Sequence, residues 1–346
     1  MMPEGFFQLG LSFDDVLLVP RKSDVCTRKD VDISSELKKQ KYTMPIISSP
    51  MDTVTEGKMV RAISSHGGLG IIHRYNSIEE QTSMVRELSD LDSKYLAAAI
   101  GVSGDFEDRA TALYDAGVRT LCVDIAHGHH TMMERALKTL KDIFAESIAL
   151  IAGNVATPEA FIDLDSWGAD AIRVGVGGGS ICSTRLQTGH GVPTFQSVYA
   201  CSFVKQDSGA KIIADGGIKN AGDIVKSFAA GADFVMLGSL LSGTDETPGQ
   251  ILKDKNGNST KVYRGMASTE AQEAWRGHSR SLEGVSTTVS HKGPVGDIFN
   301  SLSQNIRSGF SYSGSRSLDE FKENSTIIKQ TTASMRESDT HILNRK

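Results

Sequence analysis

Short apolar runs that end in small or polar residues recur along the 346-residue chain and give its dominant pattern. Runs of this length suit strands that are buried on both faces. Most intervals between them hold one amphipathic helix, such as 59–66 or 221–230. Eight successive units of this kind predict a (β/α)8 TIM barrel, with a doubly wound open sheet as the alternative. The predicted strands are Pro45–Pro50, Gly68–His73, Leu96–Gly101, Thr120–Ile125, Ala149–Asn154, Ala171–Gly175, Lys211–Gly216 and Asp233–Gly238.

Three parts of the chain depart from this alternation, although the whole chain, 1–346, is expected to form one catalytic barrel domain. About 40 residues separate the sixth and seventh strand starts, which predicts a long functional loop at about 175–192. Residues of about 243–293 lack apolar periodicity and are rich in Gly, Ser and Thr, so they predict a mobile flap. The polar segment of about 318–346 predicts a tail that is partly disordered or reaches a neighbouring subunit.

Composition and charge exclude several classes of function. The formal net charge is -5 and no basic block is present, so nucleic acid is not an expected partner. No apolar run reaches the roughly 18 residues of a membrane span, and the N-terminus has no signal-peptide pattern. Four scattered cysteines without a CxxC pair indicate a reducing cytoplasm rather than disulfides or zinc. His127, His129 and His130 are more typical of a polar loop or helix start than of a metal site.

A glycine-rich run from Gly175 to Gly189 contains Cys182 and carries the sharpest chemical signal. Its small residues allow the backbone to close around a ligand, and a thiol among hydroxyls suits covalent attack on an electrophilic carbon. The alternative is a buried structural cysteine, the usual environment of a free thiol. Flanking Gly, Ser and Thr residues are unusual for an apolar core, and Arg185 would favour a thiolate. Residue types alone leave both interpretations open.

Two neighbouring strand ends have the composition of a phosphate site. Asp215–Gly217 follows the seventh predicted strand, and Gly238–Ser239 follows the eighth. Backbone amides there would hold a phosphate, and the Asp215 carboxylate would accept hydrogen bonds from ribose hydroxyls. The alternative is that Asp-Gly-Gly only makes a tight turn. Asp124, at the end of the fourth strand, is either a ligand contact or a helix N-cap.

An ordered set of motifs resembles the IMP dehydrogenase/GMP reductase family over nearly the whole chain. The motifs are Leu11–Pro20, Ser48–Thr55, Gly67–Arg74, the cysteine run, Ala214–Ile218, Met236–Ser239, Tyr263–Ser268, Glu283–Gly284 and His291–Pro294. The resemblance implies a barrel enzyme that joins a purine nucleotide, GMP or IMP, to a cysteine through C2 of the base. It also implies NADPH as cofactor, with NADH or NAD as alternatives, a homotetramer, and a monovalent cation such as K+.

The resemblance assigns site residues position by position. The catalytic residues would be the nucleophile Cys182, its proton-transfer neighbour Thr184, and Glu283, which by itself is typical of a solvated surface charge. The substrate-binding residues would be Ser49, Ser180, Asp215, Gly216, Gly217, Gly238, Ser239, Tyr263, Gly265, Met266, Ala267 and Gly284. The cofactor-binding residues would be Arg74, Asp124, Ile125, Ala126, Val176, Gly177, Arg280 and Ser308, with Thr27 and Arg28 from a neighbouring subunit. The cation ligands would be Gly177, Gly179, Cys182 and Arg185.

The flap and the cysteine run bear on which activity of the family is present. Dehydrogenases resemble one another in a longer flap with an Arg-Tyr pair that activates water, whereas the interval from Met266 to Glu283 is short and contains no tyrosine. The run Cys182–Gly191 also resembles the reductase form, and the CBS domain of many dehydrogenases is absent. Arg74 and Val285 depart from the reductase pattern. The resemblance therefore implies reduction of GMP to IMP and ammonia, with oxidation of IMP to XMP as the alternative. A non-catalytic nucleotide sensor is the third possibility.

Overall fold

The computed structural model describes residues 9–205, 209–278 and 283–338. Within these ranges, eight parallel strands close into a barrel in which each strand pairs with the next and the eighth pairs with the first. All eight predicted strands are present, so the barrel prediction is confirmed and the open-sheet alternative is wrong. The barrel strands are β1 (Ile46–Ser48), β2 (Leu69–Ile72), β3 (Ala97–Ile100), β4 (Thr120–Asp124), β5 (Ala149–Val155), β6 (Ala171–Val174), β7 (Lys211–Asp215) and β8 (Phe234–Leu237).

Helices that follow the strands cover the outside of the barrel. In the fourth unit the helix buries Met133, Leu137, Leu140 and Phe144, spaced three or four residues apart, against the sheet. It begins at His130, whose Nδ1 accepts the Met132 amide at 3.0 Å, as expected for a helix start. The covering helices are α1 (Gly57–Ser65), α2 (Ile78–Arg86), α3 (Phe106–Asp115), α4 (Thr131–Phe144), α5 (Pro158–Ser166), α6 (Thr194–Ser202), α7 (Ala221–Ala229) and α8 (Val295–Tyr312).

An antiparallel hairpin, Ser35–Leu37 paired with Gln40–Tyr42, fills the N-terminal end of the barrel. Tyr42 is buried together with the inward-facing side chains of the strands. Its ring lies edge-on to Tyr95 and Phe234, with centroids 6.0 and 5.9 Å apart. Because these rings occupy that end of the barrel, several interior positions on β3, β5 and β6 are alanines. The C-terminal ends of the strands remain available for a site.

The region of about 243–293, which the sequence predicts to be a mobile flap, contains regular structure in its described residues. Strands Leu252–Lys253, Ser259–Arg264 and Ser286–Ser290 form an antiparallel sheet. A helix, Thr269–Arg276, connects the last two strands together with the residues that precede Glu283. The strands are rich in Ser, Thr and Lys and are held by backbone pairing, so their sequence lacks an apolar period.

The segment after residue 317 is folded rather than disordered as far as it is described. It contains a helix, Leu318–Asn324, a strand, Ile327–Lys329, that pairs with Val16–Leu18, and a second helix, Thr332–Glu337. Phe321 stacks on Phe310 with centroids 4.1 Å apart, which fixes the first helix on α8. Short helical turns complete the described structure at Phe13–Asp15, Arg28–Asp30, Ser93–Tyr95 and Thr184–Thr188.

None of the helices in the described ranges is long and apolar enough to cross a membrane. All four cysteines are free thiols, as their scattered positions predict. The described residues also contain no group of three or more His, Cys, Asp or Glu side chains that could hold a metal ion. His129 instead pairs with Asp163, at 2.8 Å.

Candidate active site

A cavity of about 460 Å³ opens at the C-terminal ends of the barrel strands. Barrel enzymes place their active sites at this end. Twenty-one of the residues singled out from the sequence line it: Ser49, Arg74, Asp124, Ile125, Ala126, Val176, Gly177, Gly179, Ser180, Cys182, Thr184, Asp215, Gly216, Gly217, Gly238, Ser239, Tyr263, Gly265, Met266, Ala267 and Glu283. Residues up to 234 positions apart in the chain, from Ser49 to Glu283, therefore share one concave surface.

Two further predicted residues lie beside the cavity. Gly284 forms an antiparallel bridge with Cys182 and so lies next to the thiol. Arg185 lines a second cavity, of about 260 Å³. Its Nη2 donates to the Val192 carbonyl at 2.8 Å. Among the described contacts, this bond rather than one to the Cys182 sulfur holds the guanidinium, so the expected support of a thiolate by Arg185 is not seen.

The other predicted cofactor residues fall outside the cavity lining. Thr27 begins the short turn Arg28–Asp30, and its side chain accepts the Lys29 amide. This turn packs against α8, the helix that carries Ser308. Thr27 and Arg28 are exposed, and they lie with α8 on the outside of the barrel. Arg280 lies outside the described residues.

Cys182, Thr184 and Glu283 form a hydrogen-bonded chain in the wall of the cavity. The Cys182 thiol donates to Thr184 Oγ1 at 3.2 Å, and Thr184 Oγ1 donates to Glu283 Oε2 at 2.7 Å. Cys182 is exposed, so its sulfur is accessible to a ligand. The Thr184 hydroxyl carries one proton, which it donates to Glu283, so it accepts the proton of the Cys182 thiol. The two bonds therefore run in one direction, from sulfur to carboxylate. The arrangement can remove a proton from the thiol and return it to another atom bound nearby.

Backbone hydrogen bonds hold the cysteine run beside Glu283. The Ser183 amide donates to the Glu283 carbonyl at 2.9 Å, and the Val285 amide donates to the Ile181 carbonyl at 3.0 Å. Gly265 extends the same arrangement, since its amide donates to the Val285 carbonyl at 3.0 Å. Glu283 is therefore a structured part of the site, although its position in the sequence gives no sign of this.

Close packing explains why the cysteine run needs glycine. A Cβ on Gly175, which has φ +150°, would lie 1.9 Å from the Asp215 carbonyl oxygen. A Cβ on Gly178 would lie 2.4 Å from Thr194 Oγ1. Both distances are far shorter than any side chain tolerates. The glycines thus allow the run to lie directly on the end of β7.

The strand ends that predict a phosphate site converge at one side of the cavity. Gly216 and Gly217 adopt φ of +94° and +76°, which Gly accommodates without strain. A Cβ on Gly238 would lie 3.0 Å from the Tyr263 hydroxyl. Burial raises the pKa of Tyr263, and a hydrogen bond with Ser180 acts in the opposite direction. The second cavity shares Ser180, Gly217 and Ser239 with the first, so the two cavities meet at this side.

Lys292 braces the turn that follows β8. Lys292 Nζ donates to the carbonyl oxygens of Ser239 and Leu240 at 2.7 and 3.1 Å. Burial lowers the pKa of Lys292 from its usual value. The ammonium therefore fixes the carbonyl side of the turn whose other residues line the cavity. It also adds positive charge near the side at which the two cavities meet.

Four charged side chains and one amide, from five strand ends, form a network in the wall of the cavity. Arg173 donates to Asp124 Oδ1 at 2.6 Å through Nη1 and to Asp215 Oδ2 at 2.9 Å through Nη2. Asn154 Nδ2 donates to the same Asp215 oxygen at 2.8 Å. Arg74 Nε donates to Asp124 Oδ2 at 3.3 Å. Since α4 begins at His130, the N-cap alternative for Asp124 is wrong and the ligand-contact alternative stays a prediction.

This network is charged at neutral pH. Burial acts to raise the pKa of Asp124, but the positive charges of Arg173 and Arg74 outweigh it and hold that pKa below its usual value. Burial likewise disfavours the charge on Arg173, yet Asp215 and its other neighbours raise the pKa of Arg173 well above normal. Burial raises the pKa of the nearby Cys122 thiol to about 11. Cys122 therefore stays protonated and does not compete with Cys182 as a nucleophile.

Sequence reasoning missed several residues that line the cavity. Arg173 had a signal, because a charged side chain interrupts the apolar strand Ala171–Val174. Asn154 follows the same logic, since it ends a predicted strand. Tyr75 and Trp275 also line the cavity, but nothing in their local sequence distinguishes them from ordinary aromatic residues. Their position depends on how the helix Thr269–Arg276 packs on the barrel.

Comparison with known proteins places this geometry in a family. The family model of the IMP dehydrogenase / GMP reductase domain matches residues 10–341. A GMP reductase of Leishmania major is 33% identical, with 96% of this chain and 96% of that protein covered. An inosine-5'-monophosphate dehydrogenase of Nitrosopumilus maritimus is also 33% identical, with 97% and 98% covered.

A solved structure agrees with the barrel closely. A GMP reductase variant of Trypanosoma brucei, in complex with guanosine 5'-monophosphate, superimposes with a TM-score of 0.90 at 31% identity. The superposition covers 97% of this chain and 98% of that one.

The lengths of the alignments bear on the missing CBS domain. They run over 471 positions for the dehydrogenase and 476 for the Leishmania reductase, more than the 346 residues of this chain. Both relatives therefore contain residues that this chain lacks, and the shorter length of this chain does not separate the two activities. On the family model, the relatives and the fold together, the chain belongs to the IMP dehydrogenase/GMP reductase family.

Proposed function

We propose that the protein catalyses the NADPH-dependent reductive deamination of GMP to IMP and ammonia. One observation carries the proposal: the Cys182–Thr184–Glu283 chain occurs beside an interval, from Met266 to Glu283, that is short and contains no tyrosine. The chain of hydrogen bonds supplies a nucleophile and an acid. The interval leaves out the Arg-Tyr pair that the resemblance associates with activating water. The site is therefore better equipped to release ammonia than to hydrolyse a covalent adduct.

The proton path follows from the directions of the two hydrogen bonds. As the Cys182 thiol passes its proton through Thr184 to Glu283, the sulfur becomes a thiolate and adds to C2 of the purine. The protonated Glu283 then returns the proton through Thr184 to the amino group on C2, which leaves as ammonia. The resulting thioimidate keeps the carbon–sulfur bond. When bound, the reduced dinucleotide supplies hydride to C2, and IMP forms as the carbon–sulfur bond breaks.

The two sides of the cavity have the donor chemistry for a nucleotide. Asp215 Oδ2 already accepts bonds from Asn154 and Arg173, which fixes the carboxylate for ribose hydroxyls at its other oxygen. Gly216, Gly217, Gly238, Ser239, Ser180 and Tyr263 would hold the 5'-phosphate, and Ser49, Gly265, Met266, Ala267 and Gly284 would surround the base. Placement of the reacting carbon against a fixed nucleophile is worth several powers of ten in rate.

The residues beyond Cys182 have the chemistry that suits a dinucleotide. Arg74 offers a guanidinium for phosphate or amide oxygens, and its position is fixed by Asp124. Asp124 would accept hydrogen bonds from ribose or carboxamide groups, beside the backbone of Ile125, Ala126, Val176 and Gly177. Thr27, Arg28 and Ser308 would contribute from a neighbouring subunit of a homotetramer, and Arg280 belongs to the same set. Size-exclusion chromatography with light scattering tests the tetramer.

The cysteine run also has oxygen donors for a monovalent cation. Carbonyl oxygens are the ligands that such ions take, and Gly177, Gly179, Cys182 and Arg185 would supply them. The Gly179 carbonyl accepts the Cys182 amide at 3.1 Å, and a carbonyl oxygen has a second lone pair for a cation. Comparison of turnover in potassium and lithium salts at equal ionic strength tests this site.

Absorbance of the reduced nicotinamide in two parallel mixtures tests the proposed function. With GMP and NADPH we expect the absorbance to fall while IMP and ammonia form. No change there, together with a rise in absorbance and XMP formation from IMP and NAD, would identify the dehydrogenase activity instead. Relatives of both kinds at 33% identity make that activity the second candidate.

The Cys182→Ala variant separates catalysis from nucleotide sensing. We expect it to lose turnover and still bind GMP, because only the nucleophile is removed. Turnover at the wild-type rate by this variant would refute covalent catalysis by Cys182. Binding of GMP by the wild-type protein, without turnover in either of the two mixtures, would identify a sensor.

A further inference from the structure

A helix, Thr269–Arg276, forms part of the wall of the active-site cavity. It begins after Gly265–Ala267, and its N-terminus is capped by Ser268, whose side chain accepts the Ala271 amide at 3.2 Å. Gln272 Nε2 donates to the Ala267 carbonyl at 3.0 Å. Ala271 is buried and Trp275, one turn later, lies on the same face. This face of the helix is therefore directed toward the barrel.

Trp275 contacts the barrel through Tyr75, the third residue after β2. The two rings lie edge to face, with centroids 5.4 Å apart and planes at 82°. Such aromatic pairs stabilise a contact beyond the apolar area that they bury. Arg74 lies over the Tyr75 ring, at 4.9 Å from its centroid, and donates to Asp124. The contact thus connects the helix to the charged side of the same cavity that holds Cys182.

Water is a competing reactant in this cavity. A thioimidate carbon is electrophilic, and water can attack it in place of hydride. Glu283 and Thr184, hydrogen-bonded at 2.7 Å, can also accept a proton from a water molecule that reaches this carbon, even without the Arg-Tyr pair. Residues that exclude water therefore decide which product forms.

We propose that the Tyr75–Trp275 contact keeps water from the covalent adduct and so directs the reaction to IMP rather than XMP. The inference rests on the proposed reductase function. Without the contact, water forms a bond from oxygen to C2, the carbon–sulfur bond breaks, and the proton passes to Thr184 and Glu283. GMP and water are then converted into XMP and ammonia, with no change in oxidation state and no use of NADPH.

The ratio of XMP to IMP formed from GMP and NADPH tests this role. Ion-exchange chromatography of the reaction mixture measures both products, and NADPH absorbance is followed in parallel. We expect Trp275→Ala to raise the ratio by about tenfold or more, which is a difference of about 1.4 kcal/mol between the two barriers. Trp275→Phe retains an aromatic ring and is expected to restore a low ratio. Trp167→Phe, a change at a tryptophan outside the cavity lining, is the matched control.

Tyr75→Ala removes the same contact from the barrel side and keeps the conclusion independent of the folding of the helix. An increase in the ratio with both alanine variants supports the inference. An unchanged ratio in Tyr75→Ala, with GMP binding retained by calorimetry, would overturn it even if Trp275→Ala fails to fold. Failure of the proposed function is a separate result, because wild-type protein would then form no IMP from GMP and NADPH.

Discussion

Replacement of Arg173 by Met tests whether the charged network is required for a stable barrel as well as for the site. Arg173 is 8% exposed and bridges the carboxylates of Asp124 and Asp215. Met has a similar length and no charge, so the substitution removes the bridge and leaves the carboxylates at the strand ends. The expected result is a large loss of stability at neutral pH.

The structure sets the size of that loss. Removal of one partner from a buried ion pair costs about 3–5 kcal/mol because the remaining charge stays buried. Asp124 retains a contact with Arg74 at 3.3 Å, and Asp215 retains Asn154 at 2.8 Å. We therefore expect the lower end, about 3 kcal/mol, against total domain stabilities of about 5–15 kcal/mol. Arg173→Lys keeps the charge but not the two-armed geometry and should lose about half as much.

The pH dependence has a definite sign. Burial raises and the neighbouring arginines lower the pKa of Asp124, and the arginines prevail. Its contribution to wild-type stability is therefore present above the unfolded pKa of about 3.9 and is lost as pH falls through the lower folded value. In Arg173→Met the effect of burial is opposed less strongly, so the folded pKa of Asp124 rises. Protonation of Asp124 then removes a poorly compensated buried charge from the variant. The difference in unfolding free energy between variant and wild type therefore becomes smaller as the pH falls from 7 to about 4.

Urea unfolding followed by circular dichroism, at pH 7 and pH 5, provides the measurement. Arg173→Lys serves as the control that keeps the positive charge. A loss below about 1 kcal/mol at pH 7 would refute the buried-pair reasoning. A difference that widens at pH 5 would refute the assignment of the lowered pKa to the arginine charges.

Three other substitutions test separate parts of the structure. Glu283→Gln still accepts the Thr184 hydroxyl but holds no proton, so kcat should fall by about 10²–10⁴ while calorimetry shows retained GMP binding. Lys292→Met releases the turn at Ser239 and should weaken GMP binding about tenfold; equal weakening for guanosine would contradict a role at the phosphate side. Asp233→Asn removes a buried carboxylate that pairs with two lysines at the start of β8, and should cost about 3 kcal/mol in urea unfolding with KM unchanged.

The barrel was predictable because each strand carries its own local signal. A buried parallel strand is a short apolar run whatever its neighbours are, so eight runs indicate eight strands. The folded segment Leu318–Asn324 was not predictable in the same way. Its stability comes from Phe321 stacking on Phe310 and from Lys322 pairing with Asp233 at 2.7 Å. These contacts join distant parts of the chain, and the polar composition around them conceals the helix.

The same distinction, between local signals and contacts of distant residues, applies to the residues of the site. Strand ends with Asp or Gly are local signals, and Asp215 and Gly238 could be placed from them. Glu283 could be placed only by resemblance, because its partner Thr184 lies 99 positions earlier in the chain. The contact of Tyr75 with Trp275 had no local signal at all, since it depends on the packing of a helix onto a strand end.

The backbone hydrogen bonds that hold the cysteine run beside Glu283 have a consequence for the newly synthesised protein. All eight barrel strands, and the turns that contribute Asp215 and Ser239, leave the ribosome before residue 283 does. Domains can begin to fold during synthesis, from the N-terminus onward. A nascent barrel can therefore form a pocket that contains Cys182 while Thr184 still lacks its carboxylate partner. Most of the residues proposed to hold the nucleotide are therefore synthesised before the carboxylate that would complete the proposed chemistry.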